Sequence, residues 1–266
     1  MDSFSRINPY EKKTAASDER LDMGGRTPTN ALRARARKCL SGNWTPAVLV
    51  VLLFFVIQNA CALIPAIGMI VQWLIVGPLT LGMMSFFMSL NRGEPVEVSI
   101  LLNGFSRFGK GLGIYVVTTL LIALVMFAAA IPGGILIFAT FMLESANPTE
   151  FPLFIIGIVL AVILSIAAGA FMYLRYALAY FIANDNPEMG ILQAIKRSTE
   201  MMYGRKRKLM FLFCSFIGWF FLGFLALGIG MLWSTAYLWA AVAAFYDDLL
   251  APGEMESETK DLCPSA

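Results

Sequence analysis

After Lys208 the chain runs for 38 residues without a Lys, Arg, Asp or Glu, and charge returns only at Asp247. At about 1.5 Å per residue a helix of that length measures roughly 57 Å, nearly twice a hydrocarbon core of about 30 Å. One crossing cannot hold it, and two can. An amphipathic segment from Asp185 and a basic block, Arg205, Lys206, Arg207 and Lys208, lead into this run. The same order, an interfacial segment and then a pair of apolar passes, recurs twice upstream. With 58% apolar and only 14% charged residues and a mean hydropathy of +0.72, the chain has the composition of one whose main solvent is lipid.

Several chemistries lack their parts. Histidine is absent, which removes imidazole general bases, Ser-His-Asp and Cys-His nucleophiles, HExxH zinc sites and His-ligated haem. Cys39, Cys61, Cys214 and Cys263 stand far apart with no CxxC, so neither a disulfide framework nor a zinc knuckle is indicated. No GxxxxGK[ST], no DDxxD-like cluster and no nucleophile elbow occurs, so phosphate transfer and acyl hydrolysis have no motif to stand on. No cofactor and no nucleic acid is expected, and the chain reads as a non-enzyme.

Residues 1–28 mix charged, hydroxyl, Gly and Pro residues without apolar period and read as a disordered cytoplasmic tail. The first apolar run opens only after Trp44, so no cleavable signal peptide is predicted. From Ala31, Arg33, Arg35, Arg37 and Lys38 give a basic helix stopped at Gly42 and suited to an anionic membrane face. Cys39 to Asn91 is then 53 residues without charge, enough for passes at about 45–64 and 67–90 that turn at Pro65. Residues 91–110 hold a second amphipathic segment with Val98, Ile100, Leu101, Leu102, Phe105 and Phe108 on its apolar face, ending at Gly109. A third pass covers about 112–131, where Pro132-Gly133-Gly134 should break or kink it. Ile135 to Met142 either continues that pass or lies in the far interface. A short acidic loop spans Glu144 to Glu150. The fourth pass covers about 151–183, with Arg175, Tyr173, Tyr176 and Tyr180 toward an interface.

Asp185-Asn186-Pro187-Glu188 reads as a helix start. Behind it Ile191, Leu192, Ile195, Thr199 and Met202 share one face, opposite Gln193, Lys196, Arg197 and Glu200, and Gly204 ends the helix. Passes five and six occupy about 209–229 and 233–249. The expected organisation is a 29–250 six-pass transmembrane domain followed by an acidic, disordered cytoplasmic tail at 251–266.

Every one of the 20 Lys and Arg residues falls in a tail, in the 91–110 or 184–208 loops, or at the end of pass four. Six passes with both termini cytoplasmic is the even threading that keeps this segregation, as the positive-inside rule requires. About 20 apolar residues favour insertion by roughly 6–12 kcal/mol, against a cost of about 3 for one central Arg, so Arg175 does not veto its pass.

The three cytoplasmic segments end in Leu40-Ser41-Gly42-Asn43-Trp44, Ser106-Arg107-Phe108-Gly109-Lys110 and Met202-Tyr203-Gly204-Arg205-Lys206. They suggest a unit of interfacial helix plus helical hairpin used three times. Asp185-Asn186-Pro187, Ala194, Ser198, Met201-Met202, Gly204, Ser215-Phe216-Ile217-Gly218-Trp219, Gly228-Ile229-Gly230 and Phe245-Tyr246, with Gly77-Pro78-Leu79 and Gly104-Phe105, carry a resemblance over about residues 30–250. The chain is similar to the prokaryotic multi-pass membrane proteins grouped as domain of unknown function 975. That family carries Pro-Gly-Ile ahead of the Tyr leading into the Asp-Asn-Pro turn, where this chain has Ala168-Gly169-Ala170 before Tyr176, so a helix break there is in doubt. The resemblance implies an all-α integral membrane protein and brings no reaction or catalytic residue with it.

Within that frame the basic groups Arg33, Arg35, Arg37, Lys38, Arg205, Lys206, Arg207 and Lys208 are the candidate contacts to anionic lipid head groups or a protein partner, at about 1 kcal/mol per charge. The plainer reading is that they determine topology and do nothing further. Gln58, Asn59 and Gln72 either hydrogen-bond between passes or line a substrate path. Ala161, Ser165 and Gly169 form a small-residue stripe suited to close helix approach. Asp185 reads as a cap, and Asp247 and Asp248 as solvated carboxylates. The expected role is a multi-pass protein of a bacterial cytoplasmic membrane whose interfacial helices engage anionic lipid or a partner; the alternative is a small permease or exporter subunit for an amphiphile.

Overall fold

A computed structural model describes residues 27–63, 65, 67–143, 151–225 and 228–250, and these are helical with short connections. Both predicted tails, except Thr27 and Pro28, and the acidic loop at 144–150 lie outside the described residues. The helices are α1 (Thr29–Leu40), α2 (Trp44–Ala62), α3 (Gly68–Asn91), α4 (Ile100–Asn103) with a 3-10 turn (Gly104–Arg107), α5 (Phe108–Leu143), α6 (Phe151–Tyr176), α7 (Ala179–Asp185), α8 (Ile191–Met201), α9 (Lys206–Leu225) and α10 (Gly230–Leu250). The pairs α2 with α3, α5 with α6, and α9 with α10 pack as hairpins. Among the described residues five segments are long and apolar enough to cross a membrane: Trp44–Cys61, Gly68–Asn91, Ile100–Thr140, Phe154–Asp185 and Lys206–Leu225.

α10 is not among those five, and its environment explains why. From Ala236 to Leu249 nearly every residue is buried, because α10 packs against α1, α2, α3 and α9. A helix covered by protein can be rich in Ala and carry Tyr and Asp, since neighbouring side chains rather than hydrocarbon surround it. α3 is divided: its first turns expose Met69 and Trp73, while from Gly77 to Asn91 it is largely buried. The tight core therefore sits at the end of the bundle that bears Arg92, Asp185 and Lys208. Elsewhere the apolar helices leave large side chains open, among them Leu120, Leu124, Phe127, Ile163 and Ile166, a display that water-soluble monomers rarely tolerate.

Glycines set the closest crossings. A Cβ at Gly77 would stand 2.5 Å from the Gly111 carbonyl oxygen, and one at Gly82 or Gly104 would fall on the backbone of Leu101 or Pro78. The expected small-residue stripe on α6 behaves as predicted: Ala161 meets Gly133, Gly169 meets Met126, and Ser165 Oγ donates to Met126 O at 3.2 Å. The open question over Ile135 to Met142 is settled by α5, which runs unbroken through Pro132 for 36 residues, about 54 Å. The expected break is absent because membrane-type helices absorb a proline when a neighbour is close, and Gly133 brings α6 close.

Three other expectations are corrected. Helix α6 passes straight through Ala168–Ala170 and stops at Tyr176, and residues 179–185 form the separate α7, so the fourth apolar span, Phe154–Asp185, is built from two helices. Asp185 closes α7 and does not cap α8, which starts after Gly190 with the Gln193 side chain accepting from the Gly190 N–H at 3.2 Å. The buried face of α8 is Ala194, Ile195, Ser198 and Met201, while Leu192 stands outside at 69% exposure. Gly42 and Gly204 take positive φ of 89° and 74°, a conformation that glycine adopts without penalty where a helix must end and the chain turn. Gly109 instead lies inside α5, so the middle segment passes into its helix without a break.

Candidate functional site

The charged end is held by residues far apart in sequence. Arg92 caps the C-terminus of α3, and Gly93, at φ 69°, turns the chain away behind it. Its guanidinium donates to both carboxylate oxygens of Asp185, Nη1 to Oδ1 at 2.6 Å and Nη2 to Oδ2 at 2.9 Å. Nη2 also reaches Asp247 Oδ1 at 3.3 Å, and the Tyr246 hydroxyl donates to Asp185 Oδ2 at 2.8 Å. Two-pronged Arg–carboxylate pairing fixes orientation as well as distance. The Asp185 hydrogen bond raises the Arg92 pKa above its ordinary value; burial opposes it, and the charges of Asp247 and Asp185 reinforce it. Asp247 Oδ2 is buried without a partner. Beside this cluster Asn91 Nδ2 donates to Phe87 O within α3 and to Ala240 O on α10, both at 3.0 Å, which adds a second link between α3 and α10 to that of Arg92 with Asp247.

A second ion pair lies one residue on. Lys208 Nζ bonds Asp248 Oδ2 at 2.8 Å, and Thr27 Oγ1 donates to Asp248 Oδ1. Asp247 and Asp248 are therefore paired within the bundle, which corrects their reading as solvated carboxylates. Low exposure of the carboxylates, 12% for Asp247 and 5% for Asp248, makes such pairs costly to leave unmatched. The arrangement fastens α3, α7, α9 and α10 together at one end.

The structure brings the two predicted basic segments to this same end and divides them. Arg33 lies over Phe216 and Tyr237, with Cζ at 5.4 and 5.9 Å from the ring centroids, and the Tyr237 hydroxyl donates to Arg33 O at 3.2 Å. Lys206 sits 4.0 Å above the Phe171 ring. Those two and Lys208 face inward to protein partners, and Arg35 and Arg205 are half-buried. Arg37, Lys38 and Arg207 are exposed. Arg175 turns to α8, its Nε donating to Thr199 Oγ1 at 3.3 Å, while Ser198 Oγ donates to Arg175 O at 3.0 Å.

Of the polar residues in the first two passes, Asn59 bonds its own helix at Phe55 O, 2.7 Å, and not a neighbour. Gln58 is buried with Nε2 unpartnered. Away from the ionic end, a cavity of about 310 Å³ lies between α2, α3, α5, α6, α7 and α10, with Phe54, Met83, Tyr115, Thr118, Tyr180 and Trp239 among its walls.

Arg92, Tyr246 and Asp247 were not singled out as a site by sequence reasoning. A signal existed in that Arg92 is the first charge after 53 uncharged residues, yet its partners lie 93 and 155 positions away.

Compared with known proteins, the chain matches a family model described as Protein of unknown function (DUF975) over residues 23–252. No curated protein and no solved structure matches it.

Proposed function

The chain belongs to the family described as Protein of unknown function (DUF975), and from that premise we propose a non-enzymatic six-pass protein of a prokaryotic cytoplasmic membrane, its charged end turned to the cytoplasm against anionic head groups. Five apolar helices supply crossings by length and composition, and α10, sheltered by the others, supplies the sixth. Each hairpin follows a segment at the charged end: α1 before α2–α3, α4 with its 3-10 turn before α5–α6, and α8 before α9–α10. That order supports three units of interfacial helix plus hairpin.

One observation carries the head-group reading. Arg37, Lys38 and Arg207 remain exposed at the end where the neighbouring Lys208 is drawn inward to Asp248. In reconstituted vesicles, spin-labelled phosphatidylglycerol is expected to be held in preference to phosphatidylcholine, with the preference fading as salt rises. Changing Arg37, Lys38 and Arg207 together to Ser should reduce it by up to about fivefold per charge, at about 1 kcal/mol each. Equal retention of the two lipids at every ionic strength would defeat the reading.

The threading has its own test. In a chain with its native cysteines replaced by serine, a cysteine at Asn103 or Glu200 should stay unlabelled by an impermeant maleimide added outside intact cells, and react once the cells are opened. Labelling from outside defeats it. A second reading, a small permease or exporter subunit for an amphiphile, draws support from the cavity between the helices.

A further inference from the structure

The cavity has a composition that selects its occupant. Among the described residues no Lys, Arg, Asp or Glu lines it; its walls are Phe, Met, Val, Ile and Ala with a set of Tyr, Thr and one Trp. A charged group brought there would lose its hydration and gain no counter-charge, so an ionised head group is selected against. Two of the threonine hydroxyls are already used: Thr80 Oγ1 donates to Val76 O at 2.6 Å and Thr118 Oγ1 to Ile114 O at 2.7 Å. The phenols of Tyr115, Tyr173, Tyr176 and Tyr180, with Thr119 and Thr235, are the remaining hydroxyl side chains in its walls. The Tyr115 ring is held edge-on by Trp73 at 5.7 Å, and Tyr173 packs on Phe213 at 6.2 Å.

The cavity also has an entrance. Met83 and Met84 on its floor are 4% and 2% exposed, whereas Phe55 and Tyr173 at its rim are 42% and 45% exposed. Both rim residues belong to helices of membrane-crossing character, so the opening faces sideways, where lipid would be. A volume of about 310 Å³ accommodates roughly ten non-hydrogen atoms at about 30 Å³ each, the oxygen and first half of a long chain whose remainder would trail through the opening, and small-molecule sites begin near about 300 Å³.

We propose that this cavity binds an uncharged single-chain lipid, a long-chain alcohol or its ester, which enters sideways between α2 and α6 and offers its oxygen to the phenols of Tyr115, Tyr173 and Tyr180. The proposal rests on the membrane placement above and is independent of the head-group contacts.

The test uses the full-length protein in phosphatidylcholine vesicles with three probes carrying the same mid-chain diazirine: hexadecanol, hexadecanoate, and the acyl chain of phosphatidylcholine itself. After irradiation the adducts are mapped on peptides. Hexadecanol is expected to mark Met83 and Met84, buried positions closed to surrounding lipid, and the other two probes to mark them about tenfold less. Ala177→Phe, which fills the cavity, should remove those adducts. The near-isosteric pair Tyr115→Phe and Tyr180→Phe should weaken them about tenfold, the scale of one lost hydrogen bond, in a bundle of unchanged shape. Hexadecanoate or phosphatidylcholine marking Met83 and Met84 as strongly as the alcohol overturns the proposal, as does labelling confined to Leu120, Leu124 and Phe127. In that last case the membrane placement stands, whereas failure of every probe to mark Leu120, Leu124 and Phe127 removes both.

Discussion

Replacing Gly82 with alanine is expected to prevent the bundle from assembling, the largest effect of any one-carbon change in this chain. The added methyl would fall on the carbonyl oxygen of Leu101, and on the other side of the same crossing Gly104 already touches the α3 backbone at Pro78 and Gly82. The obstacle is backbone rather than a flexible side chain, so no rotamer change relieves it. Overpacking a core costs about 1–3 kcal/mol when side chains can move, and a fixed backbone on both faces should put this change at or above the upper figure. Thermal unfolding of the detergent-solubilised protein, followed by tryptophan fluorescence, reads the effect. Gly134→Ala and Gly218→Ala are the matched controls: nothing lies within 4 Å of either new methyl, and alanine favours a helix by up to about 1 kcal/mol over glycine. If Gly82→Ala melts with those controls, α3 and the 101–104 segment do not pack as described.

Arg92→Ala is expected to be the most damaging change of a charged residue. It leaves Asp185 and Asp247 facing each other with 19% and 12% of their side chains exposed, and only Arg35 acting on Asp247 as counter-charge. Removing one partner of a buried ionic group costs about 3–5 kcal/mol. Arg92 is itself 35% exposed, so solvent screening lowers the expected cost to about 2–3 kcal/mol. The same mechanism makes a counter-prediction. Arg92→Met combined with Asp185→Leu and Asp247→Leu removes all three charges and should recover most of the lost stability. If Arg92→Ala unfolds at the wild-type temperature, the cluster contributes nothing and α3, α7 and α10 are held by apolar packing alone.

Much of the helical plan was legible because length and charge are one-dimensional quantities. Two uncharged runs, Cys39 to Asn91 and Leu209 to Tyr246, were each too long for one crossing, and both fold as hairpins; the middle hairpin was read instead from the acidic loop at 144–150, and the long uncharged run before it stays one helix. The stripe Ala161, Ser165 and Gly169 was legible too, since spacing by four places residues on one helix face. What escaped depended on partners distant in sequence. Asp185 follows an apolar stretch and precedes Asn-Pro, so local chemistry argues for a cap; only the fold places Arg92 and Tyr246 around it. Asp247 and Asp248 end a helix and look solvated until Arg92 and Lys208 arrive from α3 and α9. Gly77-Pro78-Leu79 and Gly104-Phe105 stood out as a family likeness without a reason, which the backbone crossing of α3 with the 101–104 segment and the start of α5 now supplies. Leu192 was grouped with Ile195 because α8 carries apolar residues on both its buried and its open side, and hydrophobic period alone cannot tell the two apart.

The enclosure of α10 bears on how the molecule is made. α1, α2, α3 and α9 all leave the ribosome before the helix that their inner surfaces surround. Until residues 236–249 are synthesised, those surfaces have no permanent neighbour, and the carboxylates that answer Arg92 and Lys208 from that helix do not yet exist. Assembly of the centre is thus the closing act of translation rather than its opening one. A nascent chain halted short of α10 would be left as loosely associated hairpins, open to the quality-control proteases that clear unfinished chains.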